Sequence, residues 1–586
     1  MSILASLVRA YDRLPDAPPF GYSMQNIGLI VGLNADGSVA SVTDWREGEG
    51  KKKRSRPMLV PQAVKRAAGI APNFLWDKTS YVLGVTAGEG KRTAEEHAAF
   101  VTRHEAALAG TTDVGLAALL LFLRQWKPEH FSTPPWSEEM RDQNVMFVFE
   151  DDRRKELWLH LRPAAKTLWE KLSSADEREV RDICLVTGER GPAARLHPSI
   201  KGVWGAQSSG ASIVSFNLNA FTSYGHEQGD NAPISETAVF AYTTTLNRFL
   251  ERDSGHRIQI GDASTVFWAD ASDARAAEAS EGLFAFAFDA VAEDRTKDEA
   301  ATRKIGIQLE RIRSGEQLRD IAPELAEGVR FHVLGLSPNA ARLSIRFYFE
   351  NDFGVLARNY QLFVEDMRIE PPPRDPYPPL WRYLMEFAVL GKRENVPPNL
   401  AGEWMRSILT GENYPLTLLS SVLMRIRADG EVNALRAGTI KALLVRNFKM
   451  EEAPVALDPT NPNKGYLLGR LFALYEQIQT AALGTKVNAT VKDKFYGSAS
   501  AQPRKVFHLL DRGSVNHLSK LGKQSPGRKV NLEKQISEIM GMMEPDKDPF
   551  PASLASEDQA LFGLGYYHQR SEFFKSRKAD ASEEAI

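Results

Sequence analysis

The chain has 586 residues, 43% hydrophobic and 25% charged, with a formal net charge of -2. That length exceeds what one hydrophobic core usually serves, so more than one domain is expected, globular rather than disordered or fibrous. A single cysteine, Cys184, excludes an internal disulfide and any cysteine-cluster metal site, and the lack of a signal-like start or an apolar run of roughly 18–20 residues points to a cytoplasmic protein with no membrane partner.

The first predicted element is a short helix carrying Ile3, Leu4, Leu7, Val8 and Tyr11. Gly28 to Val42 reads as a hairpin around Asn34-Ala35-Asp36-Gly37. The basic run Lys51-Lys52-Lys53-Arg54-Ser55-Arg56 follows, and between Lys51 and Lys78 eight basic residues stand against one acid. Residues 94–126 predict helix, 144–150 and 203–218 strand, 236–252 helix and 265–268 strand. Cys184, between them, reads as a small buried hydrophobe. Two strands, 328–336 and 341–350, are expected on either side of Ser337-Pro338-Asn339, the second with Leu343, Ile345, Phe347 and Phe349 at period two. Helix 354–368 then leads to Pro371–Pro379, where proline density stops both helix and sheet. Everything beyond reads as helix: 380–390, 400–409, 416–428, 439–447 and 466–482. The fold class expected is therefore an α+β N-terminal region (1–370), a Pro-rich linker (371–379) and an all-α helical bundle (380–586). The bundle is locally basic, with thirteen Lys or Arg against four acids from Lys464 to Lys534.

The segment Gly202 to Gly225 is the most informative. It sets Gln207 among small residues, followed by hydroxyls, Asn217, Asn219 and aromatics, a mixture poor for a dry core and suited to a polar, planar partner such as nucleic acid. The other reading is a Gly/Ser-rich loop entering an ordinary strand. Gly205-Ala-Gln-Ser-Ser-Gly210 has phosphate-loop glycine spacing, but in Ala211-Ser212 an alanine stands where the phosphate-binding lysine is required. It is not a nucleophile elbow either. The eleven histidines have no zinc spacing, and adjacent carboxylates such as Asp151/Asp152 do not imply a two-metal site. The sequence thus offers no evidence for an enzyme, a cofactor or a bound metal.

Other stretches offer nucleic-acid chemistry beside a plainer alternative. Asn73 can read base edges and Phe74 can wedge against a base step; equally, Asn73 can form a turn while Phe74 and Trp76 enter the core. Lys51, Lys52, Lys53, Arg54 and Arg56 suit a phosphate backbone, or make a disordered basic loop. In the bundle, Lys492, Lys494, Arg504, Lys505, Lys520, Lys523, Arg528 and Lys529 suit a single-strand path with Tyr496 and Phe507 as stacking platforms, or are solvated helix faces.

These pieces occur in a recognisable combination. Gly69-Ile-Ala-Pro-Asn-Phe-Leu-Trp-Asp-Lys-Thr-Ser-Tyr-Val-Leu-Gly84, Cys184-Leu-Val-Thr-Gly188 with Arg195-Leu-His-Pro198, the Gly202–Gly225 block and Ala241-Tyr-Thr-Thr-Thr-Leu-Asn247 all contribute. So do Ile260-Gly-Asp262, Val266-Phe-Trp-Ala269, Arg346-Phe-Tyr348 and Gly563-Leu-Gly-Tyr-Tyr-His-Gln-Arg570. Together they closely resemble, in order and nearly end to end, the large subunit of the type I-C CRISPR Cascade, a crRNA-guided surveillance complex. The resemblance implies a non-catalytic subunit that recognises a protospacer-adjacent motif (PAM) in double-stranded DNA, assists duplex opening and stabilises the R-loop, while guide pairing reads the sequence. Implied partners are crRNA, target DNA, the backbone and crRNA-processing subunits and a recruited helicase-nuclease. A small helical subunit, translated internally from about Met450, is also implied. On this reading Asn73, Phe74, Gln207, Ser208, Ser209 and Asn217 face the motif duplex, Lys51 to Arg56 clamp its phosphates, and the bundle cations guide the displaced strand. Two other readings stand beside it: an assembly subunit that binds mainly crRNA and its neighbours, and an unrecognised metal-dependent nuclease.

Overall fold

The computed structural model describes residues 2–583 except 15–16, 49–52, 65, 67–68, 175–181, 272, 289–298, 451–452 and 485–488. An α+β N-terminal region precedes a helical C-terminal region. The chain forms two compact units, one of Met1–Ile200 with Ser212–Arg248, the other of Lys201–Ala211 with Phe249–Ile586.

The first unit holds β1 (Tyr22–Ile27), β2 (Leu29–Leu33), β3 (Val39–Asp44), β4 (Arg56–Pro61), β5 (Trp76–Lys78), β6 (Asn144–Phe149) and a two-residue pair, β7 (Asp182–Ile183) and β8 (Arg190–Gly191). β3, β2, β6 and β5 form one sheet in that order, with β2 and β6 parallel. The unbroken apolar sequences of β2 and β6 mark strands covered on both faces. Leu29, Val31, Leu33, Val145 and Phe147 belong to one core cluster with helices Thr93–Ala107 and Val114–Gln125. Ile30, Met146 and Val148 join Ile27, Val60 and Trp76 in another. The expected hairpin is β2–β3. The single helix expected over 94–126 is two helices, because Asp113 begins the second one by accepting the Leu116 N–H at 3.0 Å. The strand expected over 203–218 is not formed: those residues make turns and loop, since Gly, Ser and Asn there outweigh the scattered β-branched residues.

The second unit carries an antiparallel sheet of order β12-β11-β10-β9, built from β9 (Arg257–Ile260), β10 (Ala263–Asp270), β11 (Arg330–Asn339) and β12 (Arg342–Asp352). Ser337-Pro338-Asn339, expected as the turn, completes β11; the reversal falls on Ala340 and Ala341. The period-two pattern of β12 holds only in part. A register shift beside Gly335 puts Ile345 on the face opposite Phe347 and Phe349, and Ile345 is exposed while they are buried.

Pro371–Pro379 does not separate two cores. One cluster of buried hydrophobics runs from Ile258 to Tyr567. Glu370 N–H donates to Val455 O (2.8 Å) and Tyr567 Oη to Pro371 O (2.5 Å), strapping the prolines to the bundle. At the bundle centre, helix Lys464–Leu483 lies along helix Ser556–Glu583. The two backbones touch: a Cβ at Gly469 would fall 2.1 Å from Phe562 O, and one at Gly565 2.2 Å from Tyr466 O.

Candidate nucleic-acid interface

Residues Val203–Gly210 form two successive tight turns in the second unit, closed by Ala206 N–H to Val203 O (3.1 Å) and Gly210 N–H to Gln207 O (2.9 Å). Gly205 supplies the positive φ (78°) that the third position of the first turn requires. The ends are pinned. Val203 and Ala211 are buried, Trp204 N–H donates to Ser264 Oγ at 2.9 Å, and Gly202 lies so close to Leu250 that a Cβ would sit 2.8 Å from its carbonyl oxygen. Gln207, Ser208 and Ser209 are left exposed at the tip, and the Trp204 side chain is 56% exposed beside them. A rigidly footed loop that offers one amide, two hydroxyls and an indole to solvent is equipped to meet base edges and phosphate oxygens.

Asn217 belongs to the first unit, also exposed. Further along the same segment Ser223 and His226 exchange backbone hydrogen bonds of 3.3 and 2.9 Å, leaving Tyr224 (φ 51°) and Gly225 (φ 80°) as the two residues of a hairpin turn. Tyr224 is fully exposed in a conformation that Asn or Gly usually takes. Sequence reasoning passed over it as one aromatic among several; the Tyr-Gly pair between short polar residues was the available signal.

Asn73 and Phe74 lie differently from expectation. Phe74 is fully buried, stacked between His104 (centroids 5.7 Å apart) and Trp169 (5.4 Å). Asn73 is buried too: its Oδ1 accepts Val64 N–H (2.9 Å) and its N–H donates to Asp77 Oδ2 (2.8 Å). Burial raises the Asp77 carboxyl, against the pull of the Asn73 N–H and Arg66. Leu75, at φ 62°, donates to His104 Nε2 at 2.9 Å, and burial holds the His104 imidazole down at about 4, so it stays neutral and can accept. The segment is a packed turn. A wedge role for Phe74 and a base-reading role for Asn73 are corrected here, because neither side chain reaches the surface.

Of the proposed phosphate clamp, Lys51 and Lys52 lie outside the described residues. Lys53 is paired with Asp44 at 2.8 Å, which Arg46 also holds at 2.8 Å; hydrogen bonds from Arg46 and then Lys53 keep the Asp44 carboxyl well below its usual range, against the effect of burial. Arg56 pairs with Glu47 at 3.1 Å and covers the Trp45 ring. Arg54 is exposed and, among the described residues, its side chain has no partner. Its backbone is fixed by reciprocal 2.8 Å hydrogen bonds with Glu47. One described cation of the run is therefore uncommitted.

In the bundle, helix Pro503–Gln524 buries Val506, Phe507, Leu510, Leu518 and Leu521 on one stripe, so its polar residues share the opposite face. Lys505, Lys520 and Lys523 are exposed there, as are Lys494 on the preceding helix and Arg528 on the following one. Lys492 is half-buried, Arg504 pairs with Asp548 (2.7 Å) and Lys529 with Glu533 (3.5 Å). Tyr496 and Phe507 are core residues, not stacking platforms: Tyr496 packs among Phe472, Phe562 and Tyr566, and Phe507 against Phe550. Met450 is half-buried against the bundle core, just past helix Ala434–Arg446.

Among the described residues no group of three His, Cys, Asp or Glu could hold a metal ion, and no helix is long and apolar enough to cross a membrane. The family model described as CRISPR-associated protein (Cas_Csd1) matches residues 7–574. The chain belongs to this CRISPR-associated family. A search of curated proteins finds no match. Membership covers both units of this Cas_Csd1 protein, so the loop at Gln207 and the basic bundle face are parts of one CRISPR-associated chain.

Proposed function

We propose that this CRISPR-associated protein is the non-catalytic large subunit of a type I-C Cascade surveillance complex. It recognises the PAM in double-stranded DNA, assists duplex opening, stabilises the R-loop and supports recruitment of a helicase-nuclease. The observation that carries the reading is the loop at Gln207: an amide and two hydroxyls held out on pinned turns, in a chain whose family works in CRISPR defence. A protein reader of a short motif needs few but rigid polar contacts, because guide pairing supplies the rest of the specificity. The exposed lysines of the bundle supply sequence-independent attraction for the displaced strand.

The test compares motif-bearing and motif-less duplexes bound by the chain assembled with crRNA and its partner subunits. Gln207→Ala is expected to lose about 1–3 kcal/mol of motif discrimination with no change in unfolding. Unaltered motif preference in that variant would remove Gln207 as a reader. Binding of crRNA alone, with no duplex affinity, would favour an assembly role, and metal-dependent cleavage by the purified chain a nuclease.

A further inference from the structure

The register shift in β12 singles out one side chain. Gly335 pairs with Phe347 and Leu336 with Ile345, so Arg346 is the extra residue of a β-bulge. Bulges re-aim the side chain they carry. Here the aim is set by Asp262, in the turn between β9 and β10: Arg346 Nη2 donates to Asp262 Oδ2 at 2.6 Å, and Ser337 Oγ donates to the same oxygen at 2.7 Å.

This arrangement stands at the foot of the loop described above. Trp204 N–H is bonded to Ser264, two residues past Asp262. A Cβ at Gly205 would touch Pro338, the neighbour of Ser337, at 3.4 Å. Loop, aspartate turn and bulge all belong to the second unit. The guanidinium has five donors in a planar fork. Its hydrogen bonding to described residues is confined to Asp262, and a third of the side chain is exposed (33%). Held on one edge and open on the other, it matches the two-oxygen face of a phosphodiester.

We propose that Arg346 is a further binding residue, contacting a backbone phosphate of duplex DNA beside the Gln207 loop, with Asp262 and Ser337 as its positioning residues. The proposal rests on the duplex-binding reading above. Its logic is a division of labour: the loop tip supplies neutral donors and acceptors for bases, and the bulge supplies the fixed cation that sets their register on the backbone.

The experiment measures the salt dependence of binding of the full chain, assembled with crRNA and its partners, to a fluorescein-labelled duplex. Arg346→Gln, which keeps a donor for Asp262, should weaken all duplexes alike and flatten the log–log salt slope by about 0.9. Arg346→Lys should recover the slope but not the full affinity, a split that a purely structural role does not produce. Matching thermal unfolding of both variants to the parent keeps misfolding apart from lost contact. If the parent binds duplex and Arg346→Gln keeps its affinity and slope, the phosphate contact is wrong while the duplex reading survives. If the slope changes only with a single-stranded RNA probe, the contact is to RNA and the proposal is again overturned. A parent that binds no duplex overturns both readings.

Discussion

Two segments of similar chemistry, Asn73–Phe74 and Gln207–Ser209, adopt opposite fates. Each sets an amide near aromatics in a turn, yet one is sealed inside the first unit and the other stands out from the second. What separates them is local satisfaction. The Asn73 side-chain oxygen meets the Val64 N–H and its backbone N–H meets the Asp77 carboxylate, both within nine residues, and Phe74 finds flat partners in His104 and Trp169. Gln207 has glycines around it and, among the described residues, no partner for its side-chain amide, so those polar atoms are left to water or to a ligand.

The contrast is broken most forcefully at Phe74. Phe74→Ala should cost about 3–5 kcal/mol of stability as a core truncation, read by denaturant unfolding, whereas Gln207→Ala should leave unfolding within about 0.5 kcal/mol. Equal effects in the two variants would erase the distinction. Acid tests the same unit. Folded His104 and His160, the latter buried with its Nε2 2.7 Å from Leu59 O, are each held at about 4 by burial, below their unfolded value of 6.5. Unfolding therefore takes up protons between those values, and stability should fall as pH drops from about 6.5 towards 4, by on the order of 3 kcal/mol for each histidine. Protection of the Leu75 amide, its exchange rate measured against the intrinsic rate at each pH, should fall over that window; constant protection would contradict the neutral, accepting His104. The smallest expected effect lies in the basic run. Arg54→Ala should flatten the salt slope of duplex binding by about 0.9 per lost phosphate, while Lys53→Ala, already paired with Asp44, should flatten it less. A reversed order would show that the ion pairs open on binding.

Much of the architecture was legible in the sequence, and for identifiable reasons. The buried strands β2 and β6 are uninterrupted apolar runs, and helix Lys464–Leu483 carries its apolar stripe openly. The two-helix break before Asp113 rested on a capping residue that the apolar run after it concealed. The Pro-rich segment looked like a boundary because proline stops regular structure; nothing in its composition reveals that Val455 and Tyr567 would hydrogen-bond to its edge. In the Gly202–Gly225 block, glycine spacing marked the turns that leave Gln207 exposed. Phe74 and Phe507 could not be told from surface aromatics without their distant partners, Trp169 and Phe550. Arg346 needed the strand register before its aim became visible.

The close seam between Gly469 and Gly565 carries a consequence for how the chain reaches this structure. Helix Lys464–Leu483 is buried along nearly its whole length, yet the helix that covers its Gly469 face arrives some ninety residues later in synthesis. Residues such as Tyr496 and Phe507 can cover other parts of it earlier, but until Ser556 onwards has left the ribosome the Gly469 face has no permanent cover, and closing so long a loop is slow compared with forming either helix. The glycines make the final docking shape-selective: only a helix that brings its backbone within van der Waals reach of Gly469 can shut the gap, so premature coverings with ordinary side chains are held away and remain reversible.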